Sequence, residues 1–272
     1  SGEEREKPSY NREEAIPDFH VSRIVSDQSG NTYAAGYLGD ANSRTTIRLA
    51  KYNRLGTRLW FIDHPNPSTP YFEVSTLELD GAGNVYLGLR TALDGFGYTY
   101  YKYNPQGQMS WSQPLVLNKR IAKAAVDSAG NFYIVTRDII ANSAVYGSTK
   151  YDLQATVLWT RQLSVEPGYN GELQHVAVTD YGQIYVWIYR GTIGNSQLFA
   201  YDTNGTLIIN RQYSPGMFNG QIAVYRATGA IAVVDTVPTD IIYKPFSSSQ
   251  QMNIHLLDAA GNLRWSTSYT LS

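Results

Sequence analysis

Cysteine is absent from the 272 residues, which excludes disulfides, thiol catalysis and thiolate metal sites together. Charge is scarce: 17% of residues are charged, and 22 Lys+Arg against 23 Asp+Glu leave a net charge of -1. A near-neutral chain feels no general electrostatic pull toward nucleic acid or an anionic membrane. No basic groove with interleaved aromatics compensates, so nucleic acid is not an expected partner. No apolar run of about 18 residues occurs, so no transmembrane segment is expected. The chain also opens without an apolar signal region, so any export signal is expected to have been removed. Histidine is limited to His20, His64, His175 and His255, no two at metal-ligand spacing. There is no G-x-S-x-G, P-loop, G-x-G-x-x-G or EF-hand-like loop. Neither metal nor cofactor is expected.

What is abundant is tyrosine and glycine, 22 and 23 residues, in a chain that is 43% hydrophobic. That composition is globular and suits short strands joined by tight turns. The chain also repeats. Asp27-Gln28-Ser29-Gly30-Asn31-Thr32-Tyr33 returns as Asp80-Gly81-Ala82-Gly83-Asn84-Val85-Tyr86 and as Asp127-Ser128-Ala129-Gly130-Asn131-Phe132-Tyr133. Degenerate copies run Thr179–Tyr185 and Arg226–Ala232. The glycines stand at 30, 83, 130, 182 and 229, a period near fifty.

A second signature follows each first one. Lys51-Tyr52-Asn53 leads to Gly56 and Trp60, and Lys102-Tyr103-Asn104 to Gly107 and Trp111. Lys150-Tyr151-Asp152 leads to Ala155 and Trp159, Ala200-Tyr201-Asp202 to Gly205 and Ile209, and Leu256-Leu257-Asp258 to Gly261 and Trp265. Both signatures read as hairpin turns, with an Asx side chain capping the turn and glycine supplying positive φ. Each repeat is therefore four strands. In the third they are predicted at Ile121–Val126, Asn131–Thr136, Ser148–Tyr151 and Val157–Leu163. A sandwich needs no fixed period and β-helix coils are shorter, so the pattern predicts an all-β, five-bladed β-propeller with four antiparallel strands per blade.

The run Asp-x-x-Gly-Asn-x-Tyr followed by Lys-Tyr-Asn-x-x-Gly-x-x-x-Trp resembles the bacterial propeller repeats called SBBP repeats. It is more distantly similar to quinoprotein-like and NHL-like propellers. The resemblance spans roughly residues 20–270 and implies the fold; propellers host unrelated functions. Repeats four and five depart from it at Ile209 and Arg226, and distortion is expected there. Residues 1–17, rich in Glu, Lys and Arg, read as a flexible charged leader to a single propeller domain over 18–272. The family resemblance places such a chain outside the bacterial cytoplasm, periplasmic or at the cell surface, with the leader as a candidate lipoprotein tether.

Propeller geometry puts the two recurring turns on one face, leaving that face as scaffold. The other face takes the longer, dissimilar connections: Phe61–Phe72, Thr91–Tyr98, Asp138–Gly147, Val165–Glu172, Tyr213–Asn219 and Pro238–Gln251. Binding resides on such loops. Seven residues before each turn Asp stand His20, Glu73, Arg120, Glu172 and Asn219, a polar ring for a channel mouth. Four residues before it stand Arg23, Thr76, Lys123, His175 and Ile222, a deeper layer. Near the end of each second strand stand Tyr37, Arg90, Arg137, Tyr189 and Thr236, with Arg190 adjacent. Tyr and Arg give large contact area at recognition surfaces; the same arginines would otherwise pair with acids between blades. The candidate partner-binding set is thus Tyr37, Glu73, Arg90, Arg120, Arg137, Glu172, Tyr189 and Arg190. Trp60, Trp111, Trp159 and Trp265 recur with the fold signature and are predicted to pack between blades. The expected role is non-catalytic: a disc presenting a Tyr/Arg-rich face to a protein or carbohydrate at the cell envelope. The alternative is a glycan-processing hydrolase using channel-mouth carboxylates, with Glu73, Glu78 and Glu172 as the acids that could meet near the channel.

Overall fold

The computed structural model describes residues 19–39, 46–65, 73–90, 97–116, 121–140, 143–163, 165, 171–190, 195–213, 221–238 and 250–271. The predicted leader, 1–17, lies outside them. No helix occurs among the described residues; strands form five four-stranded sheets. Blade one is β1 (Phe19–Ser26), β2 (Thr32–Leu38), β3 (Thr46–Tyr52) and β4 (Arg58–Pro65). Blade two is β5 (Glu73–Leu79), β6 (Val85–Arg90), β7 (Gly97–Tyr103) and β8 (Met109–Val116). Blade three is β9 (Ile121–Val126), β10 (Phe132–Ile140), β11 (Ser143–Tyr151) and β12 (Val157–Leu163). Blade four is β13 (Glu172–Val178), β14 (Ile184–Arg190), β15 (Asn195–Tyr201) and β16 (Leu207–Tyr213). Blade five is β17 (Gln221–Tyr225), β18 (Ala230–Pro238), β19 (Gln250–Leu257) and β20 (Leu263–Leu271). Every sheet is an antiparallel meander in chain order, and among the described residues no strand is exchanged between the first and last blades. The inner strands pack in succession, β1 on β5, β5 on β9, β9 on β13 and β13 on β17, which makes the molecule a five-bladed β-propeller.

The first signature is a hydrogen-bonding unit. Asp27 Oδ1 accepts the backbone N–H of Ser29 and Asn31 at 3.0 and 2.9 Å, and Oδ2 accepts Asn31 Nδ2 at 2.8 Å. Asp80 makes the same three bonds in blade two, and Asp127 holds Asn131 the same way in blade three. The signature tyrosine then reaches forward. Tyr86 Oη donates to the Gly130 carbonyl at 2.9 Å, and Tyr133 Oη to that of Gly182 at 3.0 Å.

The second signature staples the same junctions farther out. Trp60 Nε1 donates to the Pro105 carbonyl at 3.1 Å, Trp111 Nε1 to Leu153 at 2.9 Å, and Trp159 Nε1 to Thr203 at 3.1 Å. Each acceptor lies in the outer turn of the next blade. Lys51 and Lys150 add bonds to the same carbonyls at 3.2 and 3.0 Å. Gly205 is required twice over: its φ is +78°, and a Cβ there would stand 2.9 Å from the Trp159 ring.

The degenerate repeats keep the architecture by substitution. Thr179 stands in for Asp, its hydroxyl accepting the Gln183 N–H at 2.9 Å. Ile209 stands in for Trp and is buried, while Tyr213 Oη and Arg211 Nη1 both donate to the Gly261 carbonyl, at 2.8 and 2.9 Å. In blade five the turn is rebuilt: Gly229 N–H bonds the Tyr225 carbonyl at 2.8 Å, and β17 is only five residues long.

Four hydrophobic clusters lie between successive blades. Tyr33, Ile47 and Leu49 meet Leu77, Leu87 and Leu89; Tyr86 and Tyr100 meet Phe132 and Ile134. Tyr133, Tyr146 and Trp159 meet Val176, Val186 and Phe199; Trp187 and Leu198 meet Ile222, Ile231 and Leu257. Among the described residues no such cluster joins blade five to blade one. There Trp265 is 48% exposed, against 8% for Trp159, and Ile24 on β1 is 70% exposed.

Two of the predicted loops are shortened by strand. Phe61–Pro65 continues β4. Asp138–Gly147 is mostly a hairpin, with Asp138 opposite Val145 and Ile139 opposite Ala144. The β-branched residues Ile139, Ile140 and Val145 favour that extension.

Candidate functional site

The two polar position classes prove to be one. Across the inner hairpins His20 pairs with Tyr37, Glu73 with Arg90, and Glu172 with Tyr189. All six stand at the loop-face end of the channel. The His20 and Tyr37 rings stack at 4.8 Å. Arg90 Nη2 lies 3.3 Å from Glu73 Oε1 in a partly exposed ion pair. Glu172 is exposed and accepts a bond from Gln174 Nε2 at 3.2 Å. Glu73 and Glu172 belong to blades two and four, with β9 between them.

Arg137 has a different position. Its Nε donates to the Gly171 carbonyl at 2.8 Å, and the Tyr146 hydroxyl donates to the same oxygen. Gly171 leads into β13, so Arg137 ties blade three to blade four. Arg190 ends β14 opposite Asn195, and its side chain lies outside the described residues. Arg120 also lies outside them, as do Asn219 and the side chain of Thr236. The rim that can be described is therefore three cross-strand pairs, from blades one, two and four.

Below the rim the inner strands bulge in register. β1 shifts between Val21 and Arg23, β5 between Val74 and Thr76, and β13 between Leu173 and His175. After the bulges come Arg23, which is exposed, Thr76, which is buried, and His175, which is half-buried. The backbone closes tightly at this level: a Cβ on Gly36 would lie 2.0 Å from the His20 carbonyl oxygen.

The far end of the channel is closed by the inner turns. Gly81 N–H bonds the Ser128 carbonyl at 3.0 Å, and Asp180 N–H bonds that of Arg226 at 2.9 Å. Ser128 Oγ donates to Asp180 Oδ1 at 2.6 Å. Arg226 Nε bonds the same Asp180 oxygen at 2.9 Å, and its Nη2 reaches the Val126 carbonyl of blade three, also at 2.9 Å. These bonds, led by the one from Ser128, hold the Asp180 carboxyl below its ordinary range.

Glu78, Lys123, His175 and Arg23 share this space. Burial pushes the Glu78 carboxyl up to about 7, against the pull of the Arg226 and Arg23 charges. Burial holds the His175 imidazole down to about 4, helped by Lys123 and Arg23. Burial and the Arg23 charge also lower Lys123. The sequence offers Glu78 only as an acid that could meet Glu73 and Glu172 near the channel, since it stands two residues before the turn Asp, outside both polar classes. Arg226 was visible only as a break in the turn signature. That break was the one available signal that something other than turn capping was needed there.

No group of three or more His, Cys, Asp or Glu able to hold a metal is present among the described residues. No helix there is long and apolar enough to cross a membrane.

The chain matches no protein-family model and no curated protein sequence. It is similar to solved structures in fold. It aligns to prolyl oligopeptidase B from Galerina marginata with a TM-score of 0.56 at 14% identity, over 92% of this chain and 34% of that one. It aligns to an ulvan lyase, a polysaccharide lyase, with a TM-score of 0.53 at 13% identity, over 92% and 69%. It aligns to a eukaryotic initiation factor with a TM-score of 0.50 at 11% identity, over 92% of this chain and 55% of that one. The chain thus spans about half the length of the initiation factor and a third of the peptidase. At these identities the likeness is one of β-propeller architecture alone.

Proposed function

We propose that this propeller is a non-catalytic binding module of the bacterial cell envelope, presenting its loop face to a protein or carbohydrate. The observation that carries the reading is the rim. Its aromatic and charged side chains, Tyr37 on His20, Arg90 with Glu73 and Tyr189 opposite Glu172, stand at hairpin ends on the face away from the stapled turns. Rigid Tyr and Arg side chains on a stapled scaffold lose little conformational entropy on contact. Stacking and bidentate hydrogen bonding suit sugars and polar protein surfaces alike. The resemblance to SBBP repeats supports the envelope assignment. Hydrolysis fits less well, since Glu73 already faces Arg90 within its own blade.

The test is a glycan array and an envelope pull-down with the wild type and a Tyr37→Ala, Arg90→Ala, Tyr189→Ala triple variant. Each well-placed contact is expected to contribute about 1–3 kcal/mol to binding. The Arg90–Glu73 pair is partly exposed and contributes little to folding, whereas Tyr37 packs in part on the core between blades one and two, so far-UV circular dichroism first establishes that the variant is folded. A folded variant that keeps every wild-type interaction would move the binding surface off the rim.

A further inference from the structure

We propose that Asn204 is a self-modification site, a succinimide-forming asparagine held closed by the staples between blades three and four. The chain holds three Asn–Gly pairs, beginning at Asn170, Asn204 and Asn219, and the second alone lies wholly within the described residues. It occupies the outer turn of blade four. The residues in the same place in the other outer turns are Leu55, Gln106, Gln154 and Ala260, so the pair is particular to this blade.

The chemistry needs only the chain and water. The Gly205 nitrogen attacks the side-chain carbonyl carbon of Asn204. That N–C bond forms, the bond to Nδ2 breaks, and ammonia leaves with the proton of the Gly205 N–H. Water then opens the cyclic imide at either of its carbonyls. One opening leaves aspartate at 204. The other leaves isoaspartate, with the main chain rerouted through the former side chain and lengthened by one carbon. Glycine has no side chain to crowd the attack, and Asn204 is exposed.

The native turn withholds the nitrogen. Gly205 N–H is donated to the Asp202 carbonyl at 3.0 Å, with φ at +78°. Asp202 Oδ1 accepts the backbone N–H of Asn204 and Thr206 at 2.9 and 2.8 Å. Blade three then grips three successive carbonyls. Trp159 Nε1 and Lys150 Nζ donate to Thr203 at 3.1 and 3.0 Å, Arg161 Nη2 to Asn204 at 3.4 Å, and Arg161 Nε to Gly205 at 2.8 Å. Forming the imide turns the backbone at 204 and 205, so it waits for these bonds to open together. Isoaspartate does not restore the turn, because its extra carbon moves Gly205 off both the Asp202 carbonyl and the Trp159 ring. Each opening of this junction therefore risks a permanent mark that keeps it from resealing.

The test ages four samples side by side at mildly alkaline pH: native wild type, wild type unfolded in guanidinium chloride, Arg161→Met and Asn204→Gln. Mass-spectrometric peptide mapping separates the three Asn–Gly pairs and reads the amide-to-acid exchange at 204. An isoaspartate-specific methyltransferase reads the rerouted product. Conversion at 204 should be at least about tenfold slower in the native protein than in denaturant, and several-fold faster in folded Arg161→Met than in native wild type. Asn204→Gln, exposed and outside the staples, should fold and stay unmodified there. Aged wild type should melt below Asn204→Asp, which carries the same charge on an unlengthened chain. Lys150→Met loosens the same turn through a separate bond and replaces Arg161→Met should that variant not fold. Equal rates in native and unfolded protein, an unchanged rate in the folded variant, or no conversion at 204 in any sample would overturn the proposal.

Discussion

Four of the five junctions in this propeller hold an apolar cluster between their blades; among the described residues the fifth holds none. Between blades three and four, Trp159 is buried, its indole is bonded to Thr203, and its ring lies on Gly205. Between blades five and one the same parts exist without meeting. Trp265 is half exposed, and the place a Cβ would take on Gly56 has no heavy atom within 4 Å. The outer turn of blade five keeps Asp258, Gly261 and Trp265 but has Leu256-Leu257 where blade one has Lys51-Tyr52. A further difference is in the faces behind it. Blade two offers Val85, Leu87 and Leu89 to its predecessor, whereas the matching positions of blade one are Thr32, Ala34 and Gly36. A recurring turn therefore specifies a hairpin; whether two hairpins join depends on apolar area.

The largest effect that tests this contrast is tryptophan removal. Trp159→Ala should cost about 3–5 kcal/mol, from the lost side chain and the cavity it leaves. Trp111→Ala, half-buried at the second junction, should fall at the lower end of that range. Trp265→Ala should cost under about 1 kcal/mol, as surface substitutions do. Denaturant unfolding measures all three, and equal losses would mean that the fifth junction is sealed in solution.

The tyrosine staples come next. Tyr133→Phe removes a hydroxyl that bridges Asp127 and the Gly182 carbonyl in a buried setting, and should cost about 1–3 kcal/mol. Tyr33→Phe should cost less, because among the described residues that hydroxyl reaches only Asp27 of its own blade, at 3.3 Å.

A pH series isolates the channel floor. The Glu78 carboxyl ionises near 4.5 in the unfolded chain and at about 7 in the folded one. Its folded pKa is raised, so the native state keeps the extra proton in between. The stability tied to that proton is complete below 4.5 and is lost as pH rises through about 7. His175 and His64 work in reverse: both fall from 6.5 to about 4 on folding, and their stability is lost as pH falls through about 4. Comparing Glu78→Gln with the wild type cancels the histidines. The variant should gain relative stability from pH 5 to 8, on the order of 1 kcal/mol once channel water is allowed for. A constant difference across that range would remove Glu78 from the buried cluster.

The smallest effect is at Ala155, where φ is +63° in a place that the other four outer turns give to glycine. Ala155→Gly should stabilise by roughly 0.5–1 kcal/mol, since the relief of left-handed strain slightly exceeds the entropy that glycine adds to the unfolded chain. Thermal melting is sensitive enough to read it.

The blades were legible because their turns are chemical statements. Asp27, Asp80 and Asp127 cap, glycine supplies φ, and the spacing between them gives the period. The inter-blade role of Trp60, Trp111 and Trp159 followed from their fixed place. The open junction was only partly legible: Trp265 keeps its place after Gly261, but the Lys-Tyr pair of the other three is Leu256-Leu257 there. The site was less legible than the fold. His20 and Tyr37, or Glu73 and Arg90, are far apart in sequence and adjacent only through strand register, which the bulges shift by one residue. Those bulges leave no local mark in Ser22, Ser75 or Gln174. Glu78 belongs to the channel because several strands meet there, a property no single repeat contains.

The staples built from the two turn signatures point forward in the chain, whereas Arg226 reaches back to Asp180 and Val126. Tyrosine, tryptophan and lysine donors of one blade reach carbonyls of the blade that follows it in the chain, from Trp60 to Pro105 and from Tyr133 to Gly182. During synthesis each blade therefore emerges with its donors ready and waits only for the next hairpin to supply acceptors. The assembly behaves as a directional array of nearest-neighbour couplings. Among the described residues the outer turn of blade one takes no ring from another blade, since no heavy atom lies within 4 Å of the Cβ position on Gly56. Adding or deleting an internal blade moves neither terminus into a new chemical situation. Repeat number can then drift by duplication without any junction having to be reinvented.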